Sequence, residues 1–553
     1  MTLSLRVPLA CLALVGLASS ALAQGGGPLL PPPAPPGNPV TPSKTLLGKT
    51  LFWDEQLSST RTMSCGSCHL PEFGGSDPRS VLGDPRSTHP GPDGVLGTPD
   101  DVAGSPGVVR SAADGSYVAD PVFSLAPQVT GRRSMPMLNG GYGPRMFWDG
   151  RAEEVFVDPV SNQVVLNRFA ALESQVLGPP VSEVEMAHEG RDWPQVAAQI
   201  AAAEPLALSG GVTPDLAAWL NGRGYPDLFQ EAFGTADVTP ARIAMAIATY
   251  ERTLYTDQAP IFDFLAGNMQ ALTMQEHRGF MLFNSPRLAC NTCHGGPRFS
   301  LDGFHYTGVR PQNEDLGLGG VTGDVRQNGQ MKTPSLLNAE LRPPYFHGGT
   351  AADLGAVVDF YNRGGDFNGP NKAPSIRPLN LTPGERADLL AFLGRPLTDP
   401  RVRNGQAPFD RPVLYAESGN QPRVFGQPTP GSGGAAPVMV ALEPPVLGNA
   451  SLTLGLDRGL GGAMAALVVD PNSVPAGQLV QGARVYLALS PGAQRFLAQL
   501  DGSGPAGGTT SKVFQLPANP AFLGLTRFAQ WFVQDPGAPG GVAASSAAEV
   551  VLF

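Results

Sequence analysis

Four of the five cysteines fall into two pairs, each closed by a histidine: Cys65-Gly66-Ser67-Cys68-His69 and Cys290-Asn291-Thr292-Cys293-His294. This spacing suits covalent attachment of a c-type haem. Two thiols add to the vinyl groups of one porphyrin edge, and the next residue turns its imidazole onto the iron. On that reading Cys65, Cys68, Cys290 and Cys293 attach two c-type haems, with His69 and His294 as proximal iron ligands. Other chemistries use the same residue types. Four cysteines of an exported chain can make two disulfides, and a C-x-x-C pair can be a redox dithiol or half a zinc site. Zinc needs two further ligands per site, and the one other cysteine, Cys11, lies in the N-terminal apolar run, which reads as an export signal, and leaves with it. A disulfide framework gives no reason for a histidine after both pairs.

Short helices must position these motifs. Thr239-Pro240 opens one that carries Ile243, Ile247, Tyr250 and Leu254 at helical spacing. Thr273 and Glu276 form a capping box ahead of Phe280, Met281 and Phe283, just before the second motif. Thr382-Pro383 with Glu385 opens another, carrying Leu389, Leu390, Phe392 and Leu393. The fold class expected is mostly α, with a small β domain at the end. Residues 70–130 are rich in Gly, Pro and Asp and read as a long loop, more solvated than calcium-binding. After residue 400 the texture changes. Alternating apolar runs (Leu452, Leu454, Leu456; Val485, Leu487, Leu489; Phe528, Phe532) separated by turn residues predict a small antiparallel β domain over 437–553. It holds no cysteine or histidine and is assigned no redox chemistry.

A length of 553 residues exceeds one core, at roughly 150 residues per domain. Only 15% of residues are charged, against 69 Gly and 57 Pro, which indicates loop-rich globular structure. The net charge of −10 argues against nucleic acid as a partner. Arg6, the apolar run Val7 to Leu17 and Ala21-Leu22-Ala23 read as an export signal over 1–23, which predicts a periplasmic or secreted protein. The run is shorter than the about 20 apolar residues of a membrane-spanning helix, and no later span is expected. Residues 24–42 and 401–436 read as linkers.

The region from about 44 to 400 resembles the bacterial di-haem cytochrome c peroxidase family, including its MauG-like members. The resemblance rests on Leu47-Gly48-Lys49-Thr50-Leu51-Phe52-Trp53-Asp54, on Phe147-Trp148-Asp149-Gly150-Arg151-Ala152, and on the Gln175 to Met186 stretch. After the second motif it continues in Thr333 to Asn338, Pro344-Tyr345-Phe346-His347-Gly348-Gly349 and Tyr361-Asn362-Arg363-Gly364-Gly365. It implies two cytochrome c-like domains, a peroxidatic one over 43–265 and an electron-entry one over 266–400.

The resemblance also implies roles. Glu185 is the acid/base group over the first haem and Gln175, ten positions before it, holds the peroxide. Glu183 is the competing acid. Trp148 stands between the haems as an electron path; the interval from Trp148 to Gln175 is longer than the family pattern, so Val155 to Ala170 reads as an insertion that reshapes the pocket mouth. Tyr361 shares an apolar helical face with Leu354, Val357 and Val358; read from spacing alone it is a core residue. By resemblance it occupies the place of the second haem's distal ligand, a methionine in some members and a tyrosine in MauG-like ones. A phenolate stabilises oxidised iron and lowers its potential. Met331 is the thioether alternative. His89 is a candidate cap on the resting first haem. A calcium ion near Pro344 is expected, although the family's Asn ligand is replaced near Arg133 or Ser134.

Three functions follow. The first is a peroxidase that reduces hydrogen peroxide to water with electrons from a small cytochrome c or copper protein. The second is a MauG-like oxidase acting on a protein or organic substrate. The third is a plain electron-transfer cytochrome.

Overall fold

The computed structural model describes residues 29–553. The export signal expected at residues 1–23 lies outside them. Helix makes up 28% of the described residues and strand 20%, so the expectation of a mostly α protein is corrected. The reason is local. The helices around the haem motifs run only four to twelve residues, because Gly and Pro recur too often for longer ones, and the C-terminal part is built of strands.

The first core surrounds the Cys65 motif. Thr41 caps Pro42–Trp53, its hydroxyl accepting from the Lys44 N–H at 3.4 Å, and the helix buries Leu47, Leu51, Phe52 and Trp53. That helix packs on Pro240–Glu251, where Trp53 Nε1 donates to the Tyr250 hydroxyl at 3.1 Å. The second core surrounds the Cys290 motif. Met274–Phe283 and Pro383–Leu393 pack together, each opened by a capping box. In the first box Thr273 N–H donates to Glu276 at 2.7 Å. Phe280, Phe283, Phe299 and Phe392 fill the space between them.

The third core is a β-sandwich. One sheet has five strands in the order Gln494–Gln499, Met464–Asp470, Thr526–Gln534, Val542–Val551 and Arg423–Phe425. The other orders Val438–Val440, Leu452–Gly461 and Gly504–Phe514. Alternation turns Leu454, Leu456, Leu467, Trp531 and Val533 inward between them.

The described part of the first expected linker, residues 29–42, and the second, 401–436, are packed chain. Asn38 is buried and donates to Glu173 at 2.8 Å. In 401–436, Val402, Phe409 and Leu414 join the first core, Lys49 pairs with Asp410 at 2.7 Å, and Arg423–Phe425 is an edge strand of the sandwich. Proline-rich composition denies a segment its own core; it does not stop the segment lying on someone else's. Among the described residues no helix is long and apolar enough to cross a membrane.

Candidate functional site

Each Cys-x-x-Cys-His segment is held so that its histidine presents one nitrogen. Cys65–Cys68 forms a single helical turn, with Ser64 N–H donating to Ser67 Oγ at 2.9 Å. The chain then doubles back through Gly75, whose N–H donates to Leu70 O at 2.9 Å. This brings Gly75 O to 3.1 Å from His69 Nδ1. The second segment repeats the device, with Phe299 O at 3.2 Å from His294 Nδ1. A carbonyl can only accept, so Nδ1 carries the proton in both rings and the Nε2 lone pair is left for a metal. Burial holds both imidazoles neutral, pulling His69 below the ordinary histidine value and His294 down to about 4. No disulfide joins Cys65, Cys68, Cys290 or Cys293.

Both motifs line cavities, one of about 660 Å³ at His69 and one of about 210 Å³ at His294. Their shared wall includes Trp148, Arg133 and His347. Arg133 and Arg342 are buried, and neither pairs with a carboxylate among the described residues. Arg133 Nε has no partner at all. Thiols, an open imidazole nitrogen and uncompensated buried guanidiniums fit a covalently bound haem with anionic propionates. Arg133 and Arg342 would hold those propionates.

The residues expected in the first cavity lie in its wall. Gln175 sits on the Ala171–Val176 helix and Glu185 on the following loop, its N–H donating to Ser182 O at 3.1 Å. Burial pushes the Glu185 carboxyl above the usual range, opposed by Arg151 and by the Ser182 hydroxyl. Glu183 points away: it is exposed, and its carboxylate accepts from the Gly190 N–H at 2.9 Å. Trp148 is buried, donates Nε1–H to Arg133 O at 2.8 Å, and meets His347 edge-on at 6.3 Å. The Val155 to Ala170 stretch is a hairpin, Phe156–Val157 with Val164–Leu166, anchored by buried Phe156 and Leu166. None of it lines the cavity, so its expected effect on the mouth is not seen.

Tyr361 and Met331 both line the second cavity. Asp353 caps Leu354–Arg363, accepting from Ala356 N–H at 2.8 Å. The tyrosine then packs on Phe360 and Phe346, with ring centroids at 5.0 and 6.3 Å. Burial raises its phenol.

His89 borders the first cavity with the opposite polarity to His69. Its Nδ1 accepts from Gly91 N–H at 3.1 Å, which puts the ring proton on Nε2 and leaves no lone pair there for iron. The calcium site does not fit either. Arg133 Nη2 donates to Pro343 O at 3.1 Å, beside a second buried guanidinium, Arg342. A divalent cation there would compete with the guanidinium that already holds the Pro343 carbonyl. Among the described residues no group of three or more His, Cys, Asp or Glu side chains is placed to hold a metal.

Two cavity residues had no assignment from sequence. Glu251 ends the Pro240–Glu251 helix, is buried in the first cavity's wall, and has one carboxyl oxygen without a partner. Burial pushes it up to about 8. Its signal was a lone acid in an apolar helical run. His347 is buried in the shared wall with Nε2 unpartnered, and burial pulls it to about 4; no spacing rule marks it.

Known proteins resemble this chain in sequence. The di-haem cytochrome c peroxidase family model matches residues 42–270. The methylamine utilization protein MauG of Methylorubrum extorquens is 30% identical over 364 residues, 65% of this chain and 80% of that protein. Cytochrome c551 peroxidase of Nitrosomonas europaea is 27% identical over 368 residues, 64% of this chain and 85% of that protein. A crystal structure of a MauG-like protein associated with microbial copper homeostasis superposes with a TM-score of 0.47 at 26% identity, covering 69% of this chain and 96% of that one. The chain therefore belongs to the di-haem cytochrome c peroxidase family, which includes MauG, and is an oxidoreductase that carries two c-type haems.

Proposed function

We propose that the chain reduces hydrogen peroxide to water at its first haem and draws electrons through the second from a small cytochrome c or copper protein. The observation that supports this best is the placement of Glu185 and Gln175 in the wall of the His69 cavity, with Trp148 shared between both cavities. Bound haem would supply an iron centre able to exchange electrons with peroxide. The overall change is H2O2 + 2H+ + 2e− → 2H2O.

The protein's part is proton handling and positioning. Glu185, ionised, takes the proton from the inner peroxide oxygen and delivers it to the outer one, which leaves as water. Burial raises the affinity of its carboxylate for that proton. Gln175 holds the peroxide through its amide and does not titrate. Trp148 fills the wall between the cavities with a polarisable ring, fixed by its bond to Arg133 O. Export, expected from residues 1–23, places the protein in the periplasm or outside the cell.

A second reading, MauG-like oxidation of a protein or organic substrate, is favoured by Tyr361 in the second cavity. One experiment separates the two. The fully matured protein, shown by pyridine haemochrome assay to hold two haems, is mixed with peroxide and a reduced small cytochrome c. Rapid, continuous donor oxidation supports the peroxidase. Slow donor use with a long-lived oxidised spectrum supports the oxidase, and no reaction with peroxide refutes both.

A further inference from the structure

We propose that the C-terminal β-sandwich is a positioning element for Glu185, acting through the 107–128 loop. The proposal rests on the reading of Glu185 given above.

The first link joins sandwich to loop. Thr453 Oγ1 donates to Gly115 O at 2.8 Å, Ser511 Oγ accepts from Tyr117 N–H at 2.9 Å, and Asp457 accepts from the Ser124 hydroxyl at 2.7 Å. Tyr117 packs with Val109, Leu125 and Val440 in a small apolar cluster that spans the two. Gly455, on the Leu452–Gly461 strand, leaves room for it. A Cβ there would lie 2.9 Å from the Tyr117 ring, 3.1 Å from Val440 and 3.3 Å from Leu125.

The second link joins loop to acid. Val108 N–H donates to Val184 O at 3.1 Å, and Gln128 Nε2 to Glu183 O at 2.8 Å. Ser111 O accepts from Glu189 N–H at 2.8 Å, and Arg110 pairs with the Glu189 carboxylate at 2.7 Å. Gly107 lets the backbones touch: a Cβ there would lie 1.9 Å from Val184 O and 3.0 Å from Glu185 Cα. On its other side the segment is held by its own domain, through Ser59 N–H to Met186 O at 2.9 Å.

The loop is closed by turn and bridge bonds of its own, such as Val118 N–H to Arg110 O at 2.9 Å and Gln128 N–H to Val108 O at 3.0 Å, but has no helix or extended strand to stiffen it. Between residues 70 and 130 the regular elements are two short 3-10 turns and two two-residue strands. A segment without helix or extended strand, resting on turn bonds, sits nearer the low-stability end of a protein than the packed elements around it. The sandwich adds bonds from outside to this irregular segment, so a disturbance on its inner edge is passed to residues 183–189.

The test uses the full-length holoprotein in four variants. Gly455→Ala drives a methyl toward Tyr117, and Thr453→Val removes the bond to Gly115. Leu467→Ala empties part of the sandwich interior away from the loop, and Glu185→Gln reports the acid itself. Amide exchange by mass spectrometry follows residues 107–111 and 183–189, and steady-state assays give kcat and KM for peroxide. We expect Gly455→Ala and Thr453→Val to speed exchange in both segments. They should lower kcat about tenfold, since misplacing a catalytic group by about 1 Å costs up to about a hundredfold. KM and the count of two haems stay as in the wild type, and Leu467→Ala changes neither readout. The proposal is overturned if both loop-directed variants exchange like the wild type, or if Leu467→Ala matches their effect. Faster exchange together with a Glu185→Gln protein of full activity would keep the coupling and remove the role of Glu185.

Discussion

Replacing Glu185 by Gln removes the titrating group and keeps nearly all of its volume. No ion pair is lost, because Arg151 is already paired with Asp149 at 2.9 Å. The fold should therefore be retained. A buried carboxyl held above its ordinary value keeps its proton longer in the folded than in the unfolded chain. Folded-state stability then falls as pH rises from the unfolded value towards the folded one, and Glu185→Gln removes that loss. The variant should be as stable as the wild type at pH 4 and more stable at pH 7. Activity moves the other way. Positioned acid/base catalysis contributes about 10²- to 10⁴-fold, or roughly 3–5 kcal/mol of barrier at about 1.4 kcal/mol per tenfold. The rate of peroxide reduction with a reduced small cytochrome c should fall by that factor. In the wild type, kcat/KM should rise with pH through an ionisation above the usual carboxylate range, and that limb should vanish in the variant. A folded Glu185→Gln protein that keeps more than about a third of wild-type turnover, or keeps the limb, refutes the assignment.

Three further outcomes are expected. Tyr361→Phe should alter the electron paramagnetic resonance of one haem and leave the other unchanged; a methionine-to-iron charge-transfer band in the ferric wild type that persists in the variant would transfer the role to Met331. His89→Ala should leave the resting ferric spectrum unchanged, because the bond from Gly91 leaves its Nε2 protonated; loss of a low-spin signal would contradict this. Glu251, raised to about 8 from an ordinary 4.5, costs stability progressively as pH climbs between those values. Glu251→Gln should gain on the order of 4 kcal/mol at pH 8, since each tenfold change in proton affinity is worth about 1.36 kcal/mol, and little at pH 4, read by denaturant unfolding. Equal gains at both pH values would show that its charge is not the cause.

The haem motifs were legible because their chemistry is local. Two thiols and an imidazole within five residues need no distant partner to be recognised, and capping boxes such as Thr273 with Glu276 are equally short-range. Alternation likewise marked the β domain from Leu452 onward. The fold class was misjudged because the helices that could be read were counted, while the irregular chain between them and the extent of the strands could not be. The packing of 401–436 was illegible for a related reason: Phe409 and Leu414 bury against residues far earlier in the chain, and nothing in their neighbourhood announces it.

What sequence determined by itself was which residues could bond a porphyrin and the pattern shared with a family. Tertiary structure decided what each remaining group faces. It turned Glu185 inward and Glu183 outward, set Trp148 in a wall common to two cavities, and aimed Arg133 at the carbonyl where a cation was expected. It also tied the Glu185 segment to a domain that begins some 250 residues later in the chain. Orientation and long-range contact arise from packing the whole chain at once. Covalent reach and helical period are properties of a few adjacent residues, which is why only these could be read in advance.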